Sequence, residues 1–200
     1  MELNWVKNFL SFPSSYVFVD VEVAFLKEFL ENFTTANSLI TDLEEAKNLI
    51  LTSTEEEVQS APQPIQFQAE ILYGLAHAKY LHTPEGQEKM ISKQKNKIFM
   101  HCPRLSCERT ICFPCGVSDI PQELTIKMYC PNCHEIYNVS DELISKIDGA
   151  YFGLNWLESV CQSHPELRLS NQTQEYVPRI YGFRIYQPPE APLEEKQINE

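Results

Sequence analysis

Two short cysteine turns constrain this chain more than any other feature. Cys102-Pro103-Arg104-Leu105-Ser106-Cys107 has four residues between its thiols, and Cys130-Pro131-Asn132-Cys133 has two. Twenty-two residues separate Cys107 from Cys130. Four thiolates on two tight turns can surround one Zn²⁺ tetrahedrally, and the closed Cys₄ shell leaves no open position for water. A proline follows the leading cysteine of each pair, and its fixed φ suits a turn that must bring two sulfurs to one point. Such a site holds a shape; it does not turn over a substrate.

A second ligand set competes with the first. Cys112-Phe113-Pro114-Cys115 is another CxxC, and with Cys130 and Cys133 it would make a shorter zinc ribbon. His101 and His134 also flank the outer cysteines. Spacing admits both sets. The repeated Cys-Pro pattern favours Cys102, Cys107, Cys130 and Cys133, leaving Cys112 and Cys115 as free thiols or small apolar packing residues. Seven cysteines, an odd count, and a start without a secretory pattern argue against a disulfide framework. Reduced thiols fit the cytoplasm and the nucleus.

The 200 residues suffice for one sizeable core, or for a core with a small metal-stapled module. A net charge of −12 disfavours a general nucleic-acid binder, because backbone phosphates want a basic face. A nucleic-acid-binding zinc ribbon of the transcription-factor kind is nevertheless the alternative function that four cysteines suggest. No apolar run reaches the length of a membrane span, and no glycine pattern cradles phosphate. A closed Cys₄ shell also argues against a zinc hydrolase, and no histidine–carboxylate arrangement beside Cys112 or Cys161 is legible in the sequence.

The first part of the chain reads as helices. Leu3, Trp5, Val6, Phe9 and Leu10 recur at helical spacing before Pro13. Asp20 is placed to cap a helix carrying Val23 to Leu30, and another helix follows Asn37 or Thr41. Glu55, Glu56 and Glu57 read as a solvated turn, followed by a loop with Pro62 and Pro64. A strong helix runs from Ile65 to Leu81, with His77 and His82 packed or facing solvent. Thr83-Pro84-Glu85 starts a further helix that ends in Lys89, Lys93, Lys95 and Lys97. Short strands are expected over 98–101, 124–129 and 135–139, around the cysteines. Ser140 should cap a short helix with Leu143, Ile144 and Ile147, and another covers Trp156 to Cys161, ending at His164-Pro165.

The expected fold class is therefore α+β: an all-helical domain over 1–97, then a small zinc-ribbon-like antiparallel sheet domain over 98–165. An extended segment over 166–187 follows, then a proline-rich acidic tail over 188–200 that should be disordered. That segment contains an aromatic island, Tyr176-Val177-Pro178-Arg179-Ile180-Tyr181-Gly182-Phe183-Arg184-Ile185-Tyr186. As one extended strand it would place Arg179, Tyr181, Phe183 and Ile185 on one side, and Ile180, Gly182, Arg184 and Tyr186 on the other. From its residues alone it either tucks back onto its own domain or docks on another chain.

Seven strings then resemble a known family. They are 69–80 (AEILYGLAHAKY), Cys102-Pro103-Arg104 with its cysteine spacing, Val117-Ser118-Asp119-Ile120-Pro121, Tyr129-Cys130-Pro131-Asn132-Cys133, 148–153 (DGAYFG), His164-Pro165-Glu166 and 177–183 (VPRIYGF). In this order they resemble the regulatory (beta) subunit of casein kinase II, over about residues 65 to 186. The resemblance implies a non-catalytic protein whose zinc thiols are Cys102, Cys107, Cys130 and Cys133. It implies a homodimer through the zinc module, with two casein kinase II catalytic (alpha) subunits attached to make a heterotetramer. It implies that the C-terminal segment grips the kinase through Tyr181 and Phe183, with Arg179 and Ile185 on the same side. Stabilisation of the kinase and choice among its protein substrates would follow, with no membrane partner. Ser159 stands where the family often has a kinase-contacting methionine, the acidic loop is shorter, and the N-terminus lacks the family's phosphorylated serine–acid cluster.

Overall fold

The computed structural model describes residues 3–34, 38–153, 155–167 and 177–185. The acidic tail and the helix start near Asn37 lie outside these residues. The described helices are α1 (Asn4–Leu10), α2 (Val23–Asn32), α3 (Leu43–Thr52), α4 (Glu55–Ser60), α5 (Gln63–Tyr80), α6 (Pro84–Lys95) and α7 (Trp156–Ser163). Strands β1 (Phe113–Cys115), β2 (Lys127–Tyr129) and β3 (Ile136–Asn138) form one antiparallel sheet in that order. A separate hairpin pairs β4 (Arg179–Ile180) with β5 (Phe183–Arg184).

Helix α5 is the axis of the helical part. It buries Gln68, Ala69, Ile71, Leu72, Tyr73, Ala76, His77, Ala78 and Tyr80, a pattern that extends round the helix and so needs neighbours on several sides. Helices α2 and α3 pack against it, and so does the 3₁₀ turn Gly149–Tyr151 from beyond the cysteines. At that last contact Gly74 is required. A Cβ there would lie 2.2 Å from the Tyr151 ring, well inside van der Waals contact.

Several boundaries differ from those expected, each for a local reason. The acidic run is the first turn of α4: Thr54 accepts from the Glu57 N–H at 3.3 Å, and Glu57 accepts from the Thr54 N–H at 2.7 Å. This reciprocal capping box satisfies two of the helix's open donors. Helix α5 starts at Gln63, before Ile65, with Pro64 in its first turn, where proline's missing N–H is no loss. Asp20 does not cap α2, whose N-cap is Glu22. The stretch 98–101 is no strand, and only His101 bridges to Ile111. The first strand lies instead at Phe113–Cys115, between the extra cysteines. Residues 141–147 form turns in place of a helix, because the Ile147 carbonyl is taken by the Ile126 N–H at 2.8 Å and the Asp141 carboxylate by the Leu143 N–H at 2.9 Å. Of the terminal lysines, Lys89 and Lys93 donate to the Asp20 and Tyr16 carbonyls at 2.7 and 2.8 Å, which ties α6 to the chain between α1 and α2.

His77 joins three segments at once. Its Nε2 accepts from the Val19 N–H at 3.1 Å, and its Nδ1 donates to the Tyr151 carbonyl at 2.7 Å. A ring that donates at one nitrogen and accepts at the other is neutral. Phe18 and Phe152 meet it edge-on at 4.9 and 5.1 Å, and it is wholly buried. Burial first, and then the Lys93 charge, hold its pKa down at about 4 against an ordinary 6.5, although the Tyr151 carbonyl pulls it upward. Above pH 6.5 the histidine is neutral in both folded and unfolded chains. Between 6.5 and 4 only the unfolded chain takes the proton, so stability falls as pH falls, by about 3 kcal/mol in total. Urea unfolding at pH 7 and pH 4.5 should show this loss in the wild type and a smaller loss in His77→Gln. Equal losses would remove His77 as the cause.

Candidate metal centre and exposed hairpin

Each cysteine turn is closed by its own backbone. The Cys102 N–H donates to the Thr110 carbonyl at 2.7 Å, and the Thr110 N–H donates back to the Cys107 carbonyl at 2.8 Å. Between them Glu108 and Arg109 take left-handed backbone (φ 45° and 63°), which reverses the chain after the second thiol. In the other turn the Cys130 N–H donates to the Glu135 carbonyl at 3.0 Å, and the His134 N–H to the Cys130 carbonyl at 2.9 Å, again with left-handed backbone at His134 (φ 60°). Strands β2 and β3 flank this turn and fix it to the sheet.

The result brings four sulfurs together. The ligand atoms of Cys102, Cys107, Cys130 and Cys133 all lie within 4.8 Å of one another. Cys102 and Cys133 are 3.8 Å apart, and Cys107 and Cys130 are 4.0 Å apart. Four sulfurs at about 2.3 Å from one zinc, placed tetrahedrally, would be separated by about 3.8 Å. A disulfide would need about 2.05 Å. The observed set therefore fits a tetrahedral metal ion. Among the described residues this is the group of ligating side chains that converges so closely. Cys115 lies on β1 and Cys112 just before it, both outside the mutually close set, and His134 has its Nδ1 2.6 Å from the Tyr129 hydroxyl.

The electrostatics favour a cation. Burial holds Cys102 up at about 12, and Cys130 is raised well above the ordinary thiol range, first by its contact with the Cys112 thiol and then by burial. Cys133 is drawn down to about 7: burial raises it, but the Tyr137 hydroxyl at 3.3 Å, the Glu135 backbone and the neighbouring Cys130 and Cys107 thiols outweigh that. Crowded thiols cannot all lose their protons unless a positive charge enters among them. Cys115, by contrast, is a buried thiol pushed up to about 12 by desolvation.

The C-terminal aromatic segment is a hairpin, which corrects the single extended strand expected for it. Tyr181 and Gly182 form a two-residue turn with φ of 48° and 87°, the left-handed pair that suits a tight hairpin. Arg179 pairs with Arg184, and Ile180 with Phe183. Ile185 donates its N–H to the Pro178 carbonyl at 3.0 Å. Opposed residues share a face, so Ile180, Phe183 and Ile185 make an apolar side while Arg179 and Arg184 lie on the other. Tyr181 stands at the tip, 98% exposed, and Phe183 is 79% exposed. The Arg179 guanidinium donates to the Gly182 carbonyl at 3.2 Å and braces the turn.

The described residues thus make a helical body, a Cys₄ module and a C-terminal hairpin with exposed rings. The family model for the casein kinase II regulatory subunit matches residues 4–184, and the chain belongs to that family, whose members are non-catalytic. It is 33% identical over 183 residues to the casein kinase II subunit beta of Schizosaccharomyces pombe, covering 91% of this chain and 79% of that protein. It is 34% identical over 187 residues to the subunit beta of Dictyostelium discoideum, covering 92% and 69%. The beta′ subunit of Drosophila melanogaster is 31% identical over 188 residues, covering 92% and 85%. No described helix is long and apolar enough to cross a membrane.

The two candidate ligand sets separate experimentally. Cys107→Ser should lose its stoichiometric zinc, counted by atomic emission on purified protein, while Cys115→Ala keeps one ion per chain. The reverse result would move the metal to the other CxxC.

Proposed function

We propose that this chain is a zinc-dependent homodimeric regulator that binds two casein kinase II catalytic subunits, stabilises them and biases their choice of protein substrate. The observation that carries this reading is the pair of exposed rings, Tyr181 and Phe183, on a braced hairpin in a chain that also carries a metal-capable module. Bound at Cys102, Cys107, Cys130 and Cys133, Zn²⁺ would supply a structural cross-link between the two turns. The relatives' shared name, casein kinase II subunit beta, supports the choice of kinase.

The working division is a helical part (1–97), a metal-binding dimerisation part (98–165) and a docking segment (166–187). Apolar surface left outside the core supports the dimer. Leu105, at the apex of the first cysteine turn, is 96% exposed, and Ile120 and Leu143 of the same part are 62% and 59% exposed. A second copy covering such residues would remove them from water. The hairpin grips differently: Tyr181 at the tip and the Ile180–Phe183–Ile185 side enter an apolar groove on the kinase, while Arg179 on the opposite side holds the turn in shape. We place the protein in the cytoplasm and nucleus, where thiols stay reduced. Its net charge of −12 weighs against the nucleic-acid alternative.

Tyr181→Ala with Phe183→Ala should cost several kcal/mol of binding to the casein kinase II catalytic subunit, on the order of two hot spots, measured by calorimetry. Unchanged affinity would take the hairpin out of the mechanism. In sedimentation, Leu105→Asp should shift the zinc-loaded protein from dimer toward monomer. A dimer that ignores this change does not use that turn.

A further inference from the structure

A fifth buried thiol stands against the four that converge. Phe113 faces Tyr129 in the β1–β2 ladder, so one further step of the same register places Cys112 opposite Cys130. Residues directly opposed on antiparallel strands have Cβ atoms about 4.5–5.5 Å apart, on one face. Both side chains are fully buried. The Cys112 N–H donates to the Met100 carbonyl at 2.9 Å, which fixes the backbone just before β1. Cys112 is also the leading influence that holds the Cys130 thiol above its ordinary range, in keeping with the two facing each other. Cys112 is outside the mutually close set of four, so it touches one corner of the site, not its centre.

Position on the ladder gives Cys112 and Cys115 different surroundings. Cys115 is paired across the sheet with Lys127 and has no ligand opposite it. Cys130 is sealed from water, so a thiolate there must draw its hydrogen bonds from the protein. A Cys₄ shell around a divalent cation carries net negative charge, and in a dry site each missing donor to sulfur is costly.

We propose that Cys112 is a positioning residue of the metal centre, its S–H donating to the Cys130 thiolate when an ion is bound and holding that sulfur in place. This rests on the metal reading above and adds to it a thiol that a four-ligand site does not require. As the ion binds, each of the four ligating cysteines forms a metal–sulfur bond and releases to solvent whatever thiol proton it holds, while the Cys112 S–H bond stays intact.

The test uses the full chain loaded with Co²⁺ or Zn²⁺. Cys112→Ser keeps a donor at the position, and Cys112→Val fills the space without one. Cys112→Ala also lacks the donor and serves if valine is not accommodated. Zinc affinity, from competition with a chromophoric chelator, should fall about 10–100-fold in the valine or alanine variant and only a few-fold in the serine variant. The thiolate-to-cobalt charge-transfer bands should move to lower energy in the variants without the donor, because a sulfur that loses a hydrogen bond holds its lone pairs less tightly. Equal affinity and unchanged bands in Cys112→Val would overturn the proposal. So would equal losses in serine and valine variants, which would show packing alone. A wild-type chain that takes up neither metal would sink the metal reading itself and this inference with it.

Discussion

Three strands of three residues each cannot hold the module after residue 97 in one arrangement. Ladders that short provide few hydrogen bonds and little buried area, and small modules of this kind need a cross-link. An ion held by the four converging sulfurs would supply it. Each cysteine turn is a closed loop of backbone hydrogen bonds with left-handed residues just past its second thiol, so the sulfurs are aimed before any ion arrives. Without a cation among them the four sulfurs cannot all ionise together. The site is thus shaped for a cation at its centre.

That module is built into the helical body. Tyr151 and Phe152, from the turn beyond the sheet, reach α5 at Gly74 and His77, and the buried core includes Cys102, Cys107 and Cys130 together with Leu72, Tyr73 and Met90. The Gln94 amide donates to the Ile111 carbonyl at 3.1 Å, and the Tyr16 hydroxyl to Asp141 at 2.8 Å. The contacts are directional, so sliding one part against the other would strand buried polar groups. The buried neutral histidine is the sharpest case, because its two nitrogens have opposite roles and each has one partner that can fill it.

How far the sequence could be read follows from these same contacts. Periodicity was enough for α1 and α2, because each buries an apolar stripe that a 3.6-residue repeat reveals. Helix α5 was legible from its long run of apolar residues even though it is buried on several sides. The four cysteines were legible because two Cys-Pro turns repeat. The strand at Phe113–Cys115 was hidden by Pro114, which ordinarily argues against a strand. It is tolerated because β1 is the edge of the sheet. Helix α4 was hidden behind its charge, although Thr54-Glu55-Glu56-Glu57 carries the T-x-x-E capping signature in plain view. No spacing rule could place Cys112 opposite Cys130, since that pairing depends on the register of two strands separated by a long connection.

The hairpin shows how a local signal can be outweighed by a regular pattern. Alternation across 179–186 suggested one extended strand, yet Gly182 is the residue that permits a turn there. Tyr181 joins it at positive φ, a position that tyrosine seldom occupies, so no Asn-Gly or Asp-Gly signal was present. The consequence is physical. An extended strand must be ordered when it meets a partner, whereas a hairpin closed by two residues and braced by Arg179 has already lost much of that freedom, so less of its contact energy is consumed on binding. It also sorts its side chains differently, with two arginines on one side and Ile180, Phe183 and Ile185 on the other. On a chain with net charge −12, a cationic face behind an apolar one gives the tip an electrostatic sign opposite to the body that carries it. An acidic rim around an apolar groove would therefore orient the tip on approach and repel the rest of the chain.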